Sequence, residues 1–439
     1  MDLDTGEGEG KHSGMRCLSP SPRVFLGFTT LTWILGTSLG AAGAEWPQFR
    51  GPEGNGTTAL TGLPLRWDEK QGLAWKVVLP GKGWSSPVLS GDRIYLTSAM
   101  ESDSGEVTLH ALCLSQADGR LIWDREVLRP ESADAKKMHR KNSAASPTPV
   151  VEGGRVYVHF GHLGTAALDL EGKVLWKQES LKYKPVHGTG GSPALVDGLL
   201  VFSADGAEGP FVAALDAGTG AVRWKTPREG VAKKKFSFST PQAIRVDGEI
   251  QIISPGSGYV AAYRPQDGAE RWRVGYGEGY SVVPRPVYAE GLLYVGSGFD
   301  AASLLAIRPE RAVGDVTQTH VAWTLKKGAP HTPSVIVVDG LLFCVSDAGI
   351  ASCVDAKTGE VYWSERLGGN FSASPILAEG RIYFLNESGT TYVVKAAKAF
   401  ELLATNELGE RTLASPAPFP GGLFIRGEGS LYKVVSSSR

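Results

Sequence analysis

The sequence repeats one phrase along most of its length. The clearest copy runs from Val196 to Trp224 and reads VDGLLVFSADGAEGPFVAALDAGTGAVRW, with Ser192-Pro193 just ahead of it. It predicts about four short strands, separated by turn-forming pairs such as Thr219-Gly220. The tryptophan that closes the phrase recurs every 40 to 53 residues. A four-stranded repeat of this length is typical of a propeller blade, because leucine-rich and helical repeats are shorter or show a helical period.

The two ends of the repeated region complete each other. A seventh copy has Leu403 in the tryptophan position, and the three strands that follow, in SPAPFPGGLFIRGEGSLYKVV, lack a fourth. LAWKVV around Trp75 is a last strand with none before it. We therefore predict that Leu73–Val78 pairs with Leu431–Val435 and closes the ring, which removes exposed sheet edges. The predicted fold is an all-β, eight-bladed β-propeller of four-stranded antiparallel blades.

The tryptophans at the ends of the repeats are predicted to pack between neighbouring blades. A large ring at a repeated position is explained by core packing better than by a ligand. These blade-packing residues are Trp75, Trp123, Trp176, Trp224, Trp272, Trp323 and Trp363.

The pattern of residues 1–44 predicts a signal peptide. Two arginines precede an apolar run from Val24 to Leu39, and Ala42-Gly43-Ala44 gives an A-x-A cleavage site. The acidic residues ahead of Met15 do not suit a signal peptide, so Met15 is the expected start. The mature chain is expected to be soluble in the periplasm or outside the cell, without a permanent membrane span.

The mature chain is predicted to have three parts. Residues 45–72 begin EWPQFRGPEGNG, have no strand period, and are expected to form an arm that lies across the ring with Trp46 and Phe49 as anchors. Residues 73–435 form the propeller, and residues 436–439 form a short tail.

The net charge of −1 gives no general attraction to nucleic acid or to an anionic membrane. The expected partner is another exported or envelope protein, or a small ligand, and we expect a monomer. Basic runs at 136–141 and 233–235 are interpreted as solvated loop charges, with an acidic partner as the alternative. The run at 136–141 is the first expected place of contact, because it lies in a long loop.

Export makes cysteine pairing relevant. If Ala348-Gly349 is a two-residue hairpin turn, Cys344 lies opposite Cys353 in a non-hydrogen-bonded pair, where side chains come closest. A disulfide between them and two packed thiols are both open at this point. Cys113 is expected to be a buried small apolar residue.

No motif identifies catalytic chemistry. The chain has no G-x-S-x-G, phosphate-binding P-loop or C-x-x-C-H haem sequence. His159 and His162 offer two imidazoles, but no third ligand stands at a definable spacing, so we predict no metal site and interpret them as polar turn residues. GYGEG at 275–279 has no helix behind it and is interpreted as a loop. Catalytic residues therefore stay unassigned.

One class of position favours a binding site. The loop that leads into the first strand of each blade is expected to reach one mouth of the ring, because that strand lines the axis. A funnel with aromatic rings and a few polar groups is the usual form of a small-ligand site. The predicted funnel residues are Trp84, His139, Arg140, Asn142, His187, Phe238, Tyr280, His331, Asn370, Phe371 and Arg411.

The repeat resembles that of pyrroloquinoline-quinone (PQQ) enzymes and of the exported outer-membrane assembly lipoprotein with the same fold. The resemblance rests on LYVGSG at 293–298, ALDAGTGAVRW at 214–224 and VDAKTGEVYW at 354–363, and it covers nearly all of the mature chain. The opening WPQFRGPEGNG also looks like exported PQQ-like propeller proteins. The resemblance implies the eight-bladed fold, but a blade repeat does not specify what the ring holds.

For the quinone enzymes the resemblance implies an adjacent cysteine pair, a calcium ion bound by Glu and Asn, and an Asp base. This chain has no adjacent cysteines, and Glu278, Asp300 and Asp347 do not have the spacing of a calcium cage. We therefore expect an exported, non-catalytic scaffold that binds a protein or a small ligand, without a cofactor. The alternative is a PQQ-dependent or sugar-related oxidoreductase with a non-standard site, or a hydrolase or lyase with His187 or His331 as base.

Overall fold

The computed structural model describes residues 45–230, 232–300 and 302–436. The predicted signal peptide lies outside these residues. Strands dominate the described chain, and they form eight separate sheets that follow one another in sequence order. The predicted fold class is confirmed.

The blades take their strands from short alternating runs of apolar residues bounded by Gly and Asp turns. Blade 1 consists of Val88–Ser90, Arg93–Glu101, Val107–Ser115 and Leu121–Leu128. Blade 2 consists of Val150–Glu152, Arg155–His159, Thr165–Asp169 and Val174–Gln178. Blade 3 consists of Ala194–Val196, Leu199–Ala204, Phe211–Asp216 and Val222–Pro227. Blade 4 consists of Gln242–Val246, Glu249–Pro255, Tyr259–Tyr263 and Glu270–Gly275, and the short strand Gly314–Asp315 pairs parallel to its outer edge.

The second half of the ring repeats this plan. Blade 5 consists of Val287–Ala289, Leu292–Gly296, Leu304–Ile307 and Val321–Leu325. Blade 6 consists of Ile336–Val338, Leu341–Val345, Ile350–Asp355 and Val361–Arg366. Blade 7 consists of Ile376–Ala378, Arg381–Leu385, Thr390–Lys395 and Leu402–Glu407. The described helical turns are an α-helix at Ser132–Lys136 and a 3-10 turn at Gly161–Leu163.

Blade 8 joins the two ends of the propeller. Its first three strands are Ala417–Phe419, Gly422–Arg426 and Ser430–Val435, and its outer strand is Leu73–Val78. Leu73 lies opposite Val434 and Val78 opposite Ser430 in an antiparallel pair. The predicted closure of the ring is therefore confirmed.

A belt of hydroxyl groups fastens the inner strands around the axis. Each blade contributes one residue to the belt, just before its first strand. In seven places the backbone N–H of a belt residue donates to the side-chain hydroxyl of the belt residue in the next blade, at 2.9 to 3.1 Å. Blade 5 departs from this pattern because it has an arginine there. The belt residues are Ser86, Thr148, Ser192, Thr240, Arg285, Ser334, Ser374 and Ser415.

The repeated tryptophans fasten the outer part of the ring. In six of them the indole N–H donates to a backbone carbonyl in the turn of the next blade, at 2.7 to 3.1 Å. Trp272 instead donates to Gln251 of its own blade and packs with apolar residues of blades 4 and 5. The six donors are Trp75, Trp123, Trp176, Trp224, Trp323 and Trp363.

Blade 7 fills its missing tryptophan from the arm, residues 45–72. The expectation that Leu403 takes the tryptophan position is wrong. A β-bulge leaves Leu403 without a partner and pairs Ala404 with Val393, in the register that tryptophan has elsewhere. Trp67 of the arm is buried and stacks on Tyr383, with ring centroids 6.4 Å apart. In other blades the corresponding aromatic residue contacts the blade's own tryptophan.

Cys344 and Cys353 do not lie opposite each other, so the two-residue turn considered for Ala348-Gly349 is wrong. The turn has three residues, 347–349, so Cys344 lies opposite Ser352 and Cys353 opposite Phe343. This shift of one residue directs the two thiols to opposite faces of blade 6, where one packs toward blade 5 and the other toward blade 7. Both are free and buried, as is Cys113, and burial raises the pKa of each thiol to about 12.

The contact between tryptophan and turn predicts unequal effects of two alanine substitutions in blade 3. Gly220 has φ +74, and a Cβ there would lie 2.5 Å from Trp176 Cε3, whereas Gly198 has φ +75 with no atom within 4 Å. Both Gly→Ala changes cost about 1 kcal/mol of backbone strain. We expect Gly220→Ala to lower the free energy of unfolding by about 1 to 3 kcal/mol more than Gly198→Ala in urea titrations. Equal losses would contradict a tight contact between Trp176 and the turn.

Candidate functional site

The loops before the inner strands meet at one mouth of the ring, where they surround a funnel of about 1030 Å³. Each inner strand begins at the hydroxyl belt, so the belt forms the narrow part of the funnel and the loops form its rim. The structure brings ten of the predicted residues together in the lining. They are Trp84, His139, Arg140, Asn142, His187, Phe238, Tyr280, His331, Asn370 and Arg411.

Phe371 does not line the funnel, and its prediction as a funnel residue is wrong. Its side chain is fully buried in the core between blades 6 and 7. The backbone N–H of Phe371 donates to the carbonyl of Asp347 at 3.0 Å, which turns the ring inward and leaves the neighbouring Asn370 exposed at the rim. Adjacent residues of an extended loop point in opposite directions, so only one of this pair reaches the funnel.

One wall of the funnel is an arc of aromatic rings. Phe236, at the centre of the arc, has ring centroids 5.3 Å from His187 and 5.2 Å from Tyr280. Further along, Phe299 stacks on His331 at 4.6 Å with an interplanar angle of 18°. The arc spans the loops of five blades and presents ring edges and faces to the cavity. Its members in order are His139, His187, Phe236, Tyr280, Phe299 and His331.

The opposite wall carries cations and amides. The guanidinium of Arg411 lies over the ring of Trp84 at 5.4 Å and 3.3 Å from Glu428. Lys141 pairs with Glu387 at 2.6 Å. Arg140 makes no side-chain hydrogen bond or ion pair with any residue in the described ranges, so its guanidinium is available at the rim.

A strap crosses the mouth. We give this name to residues 129–146, the connection between blades 1 and 2. Lys141 of the strap reaches Glu387 of blade 7, and Arg411 of blade 8 donates to the carbonyl of Arg140 at 3.2 Å. On the other side Asn142 donates to the carbonyl of His187 at 2.9 Å. The strap is thus held by blades on both sides of the funnel.

Burial and the neighbouring positive groups keep His139 neutral. Partial burial lowers the pKa of His139, and the neighbouring His187, Arg140 and Lys141 lower it further. The imidazole is therefore a neutral donor and acceptor near pH 7 and does not add positive charge to the rim.

The arm forms the floor of the funnel. Phe49 is the arm residue in the lining, and the arm is bound to the inner strands by bridges from Trp46 to Leu89 and from Thr57 to Leu377. Arg285, the belt residue without a hydroxyl, donates to the carbonyl of Phe49 at 2.5 Å. The sequence predicted an arm across the ring, and the structure adds that its Phe49 closes the axial space.

Two buried guanidiniums stand behind this floor. Arg50 is 2% exposed and Arg285 3% exposed, and neither pairs with a carboxylate in the described ranges. They bond to carbonyl oxygens and to Gln48, while Arg50 Nε and Nη1 and Arg285 Nε have no partner among the described residues. Burial lowers the pKa of both to about 9, and Arg285 contributes to the shift of Arg50. Uncompensated buried charge of this kind is costly and makes the floor electropositive.

The carboxylates of the funnel are already committed to protein donors. Asp347 accepts the backbone N–H groups of His331 and Thr332 and the Thr332 hydroxyl, at 2.7 to 3.0 Å. Glu387 accepts Lys141 and Ser372, both at 2.6 Å. Within the described part of the chain no three His, Cys, Asp or Glu side chains are placed to hold a metal ion. The other two carboxylates considered from the sequence also have donors, since Glu278 accepts the Lys233 N–H and Asp300 accepts Lys234 and Tyr280.

Apart from Phe49 of the arm, five charged or aromatic residues of the lining were absent from the funnel prediction. Three of them share a signal that the sequence contains. In each blade the second strand runs back toward the mouth, so the turn between the second and third strands also reaches the rim. Phe299, Asp347 and Glu387 lie in such turns, while Phe236 and Lys141 lie in long loops that were considered only in part. The five are Lys141, Phe236, Phe299, Asp347 and Glu387.

Of the two histidines interpreted as polar turn residues, His162 lies in the 3-10 turn Gly161–Leu163 and His159 ends a strand, and both side chains are buried. His159 is fully buried against Phe202, with ring centroids 4.3 Å apart, and bonds to Thr165 at 2.8 Å. Burial lowers the pKa of His159 to about 3 and also lowers that of His162. Both imidazoles are therefore neutral parts of the interface between blades 2 and 3.

The fold and the funnel define a class: an eight-bladed propeller of PQQ-like repeats with a funnel that is open at the mouth and floored by an N-terminal arm. The sequence model of the outer membrane protein assembly factor BamB family matches residues 61–186, 171–335 and 256–402, and the chain belongs to that family. BamB of Yersinia pestis is 24% identical over 283 residues, which are 61% of this chain and 68% of that protein.

Enzymes share the blades as well. Quinohemoprotein alcohol dehydrogenase ADH IIB of Pseudomonas putida is 28% identical over 250 residues, which are 54% of this chain and 34% of that enzyme. Among solved structures, a europium-containing methanol dehydrogenase superposes with a TM-score of 0.68 at 12% identity, covering 90% of this chain and 98% of that one. BamB from Moraxella catarrhalis superposes with a TM-score of 0.58 at 14% identity, covering 82% and 96%. These superpositions show the shared fold alone.

The helices that the structure describes are short, with five and three residues. No helix among them is long and apolar enough to cross a membrane.

The strap contacts predict a change in protease sensitivity. Lys141→Gln removes one part-buried ion pair in a surface loop, so the melting temperature should change little. The freed strap should be cut faster by trypsin after Lys136 and Lys137, since local opening governs cleavage of a native loop. Lys184→Gln, which removes an exposed pair with Glu208 at 2.8 Å, is the matched control. Equal cleavage rates for the two variants and the wild type would contradict the claim that the Lys141–Glu387 pair holds the strap in place.

The buried imidazole predicts acid lability. His159 has a folded pKa of about 3 against an unfolded value of about 6.5, so the neutral form stabilises the fold above pH 6.5 and this contribution is lost as pH falls toward 3. The loss is about 5 kcal/mol over that range. Urea titrations between pH 4 and pH 7 should show a shallower pH dependence for His159→Phe than for the wild type. An unchanged slope would exclude His159 as the source.

Proposed function

We propose that this protein is an exported, non-catalytic scaffold that holds a segment of another envelope protein at its funnel. The observation that carries the proposal is the funnel itself: an aromatic arc faces a wall of cations and amides around an open cavity of about 1030 Å³. That volume lies at the upper end of small-molecule pockets, which run from about 300 to 1000 Å³, so a short polypeptide segment fits as well as a compact ligand.

Two further observations support a scaffold. The chain belongs to a family described as an outer membrane protein assembly factor, which is a protein-assembly role. The funnel carboxylates are occupied by fixed donors, as expected for groups that shape loops and not for a base that must exchange protons. A small-ligand receptor is the second form of the same proposal, and it uses the same lining.

The runner-up is a PQQ-dependent oxidoreductase, and the residues present do not fit calcium-bound PQQ. The sequence has no adjacent cysteines, and Asp347 and Glu387 already accept two or three protein donors each. A calcium ion needs six to eight converging oxygens, according to general coordination chemistry. No catalytic step is therefore derived through the quinone.

The proposal is tested by photo-crosslinking in intact cells that export the protein. A photoreactive amino acid at Asn370, on the exposed rim, should cross-link to envelope polypeptides, whereas the same group at Arg223, on the outer strand of blade 3, is the control. In parallel, the purified protein is mixed with PQQ and Ca²⁺ and assayed for dye reduction with alcohols and sugars, and for thermal shift.

The two readouts separate the hypotheses. Polypeptide cross-links enriched at Asn370 over Arg223, without dye reduction, are the expected result. Substrate-dependent dye reduction would replace the scaffold with the oxidoreductase. A thermal shift with PQQ but no turnover and no cross-links would favour the small-ligand form.

A further inference from the structure

Cations outnumber carboxylates in the funnel lining. Lys141 pairs with Glu387, and Asp347 accepts hydrogen bonds from His331 and Thr332, which fix its carboxylate but leave its charge in place. The other rim cations are Arg140, which has no side-chain partner in the described ranges, and Arg411, whose carboxylate partner among those residues is the exposed Glu428. Both present guanidiniums to the mouth, which suits carboxylates because the planar fork binds them with two parallel hydrogen bonds.

The floor adds to this positive potential. Phe49 lines the cavity, Arg50 follows it in the chain and Arg285 donates to its carbonyl, and neither guanidinium has a carboxylate partner among the described residues. A Cβ at Gly54 would lie 2.5 Å from Arg285 Cζ, so the arm packs closely around that guanidinium and excludes water. Charge in such a low-dielectric place is weakly screened and is felt in the adjacent cavity.

The aromatic arc supplies the other half of the recognition. Phe299 is 38% exposed and stacks on His331, the last member of the arc. The arc runs across five blades, further than a single ring of a ligand reaches. Two or more apolar side chains held along an extended segment match this length, and Asn370 lies within the lining to bond a backbone group of such a segment.

We infer that the funnel binds an acidic peptide segment that carries aromatic side chains, with the acidic groups toward Arg140 and Arg411 and the rings on the arc. This inference rests on the proposed scaffold function and specifies the chemistry of its partner. An aromatic peptide without acidic groups would leave the guanidiniums desolvated and unpaired, and an acidic peptide without rings would leave the arc in water.

The test uses capped tetrapeptides and the purified mature protein in isothermal titration calorimetry. Acetyl-Asp-Phe-Asp-Phe-amide should bind at least tenfold more tightly than acetyl-Lys-Phe-Lys-Phe-amide and acetyl-Asp-Ala-Asp-Ala-amide, and its affinity should fall as salt is raised. Arg140→Gln should weaken this binding by up to about fivefold, the scale of an exposed ion pair. Arg120→Gln, an exposed arginine on a turn of blade 1, is the matched control and should leave the affinity unchanged.

A second variant tests the rings. Phe299→Ser changes an exposed side chain, so the fold is expected to survive, and it should weaken the acidic aromatic peptide while leaving the weak binding of the Asp-Ala peptide as it was. Equal affinity for the acidic and basic peptides overturns the inference, and so does an absence of peptide binding. Binding of naphthalene-2-carboxylate without peptide binding also overturns it, in favour of a small aromatic acid.

Failure of this inference is distinct from failure of the proposed function. Cross-linking at Asn370 does not depend on the charge of the partner, so cross-links combined with no peptide preference overturn only the partner chemistry. Dye reduction with PQQ overturns the scaffold whatever the peptides do.

Discussion

The structure depends on one strand pair, Leu73–Val78 with Ser430–Val435. The middle strands of the blades are apolar on both faces, as in Tyr259–Tyr263 and Leu292–Gly296, where every residue is buried. Such a sheet is stable only when other sheets cover both faces, and a closed ring gives every blade two neighbours. Because blade 8 takes three strands from the end of the chain and its outer strand from residues 73–78, closure also fixes where the arm ends. Trp46 pairs with Leu89 of blade 1, next to blade 8. Between these two anchors the arm reaches the opposite side of the ring, where Arg285 donates to the carbonyl of Phe49 and Arg50 donates to the carbonyl of Val335.

The architecture could be predicted from the sequence because its signals repeat. Most copies share the turn pairs and the closing tryptophan, so a copy that deviates does not hide the repeat. The incomplete copies at the two ends predict how the ring closes. The errors fall where one residue changes register. The bulge at Leu403 moves Ala404 into the tryptophan register, and the three-residue turn after Ser346 separates Cys344 from Cys353. Turn length and bulges depend on backbone conformation that a repeat alone does not specify.

The site was predicted in part for a topological reason. Loops before the inner strands must reach the mouth, and ten of the eleven residues chosen on that ground are in the lining. The direction of a side chain within a loop follows from local hydrogen bonds, and for this reason Phe371 is buried while Asn370 is exposed. The floor was harder to predict, because Arg50 and Arg285 are separated by more than 200 residues and are brought together only by the closed ring.

The blades and the floor contribute to function separately. Blades of this kind occur in assembly factors and in dehydrogenases, so the ring itself does not select between binding and catalysis. The depth and charge of the axial space are set here by Phe49, Arg50 and the belt residue Arg285. A hydroxyl at position 285 would complete the belt but would leave the carbonyl of Phe49 without its donor and the floor without its charge. At blade 5 the belt therefore departs from the repeat and places a positive charge beneath the funnel. The cost of burying an arginine there is offset by its hydrogen bonds to the arm.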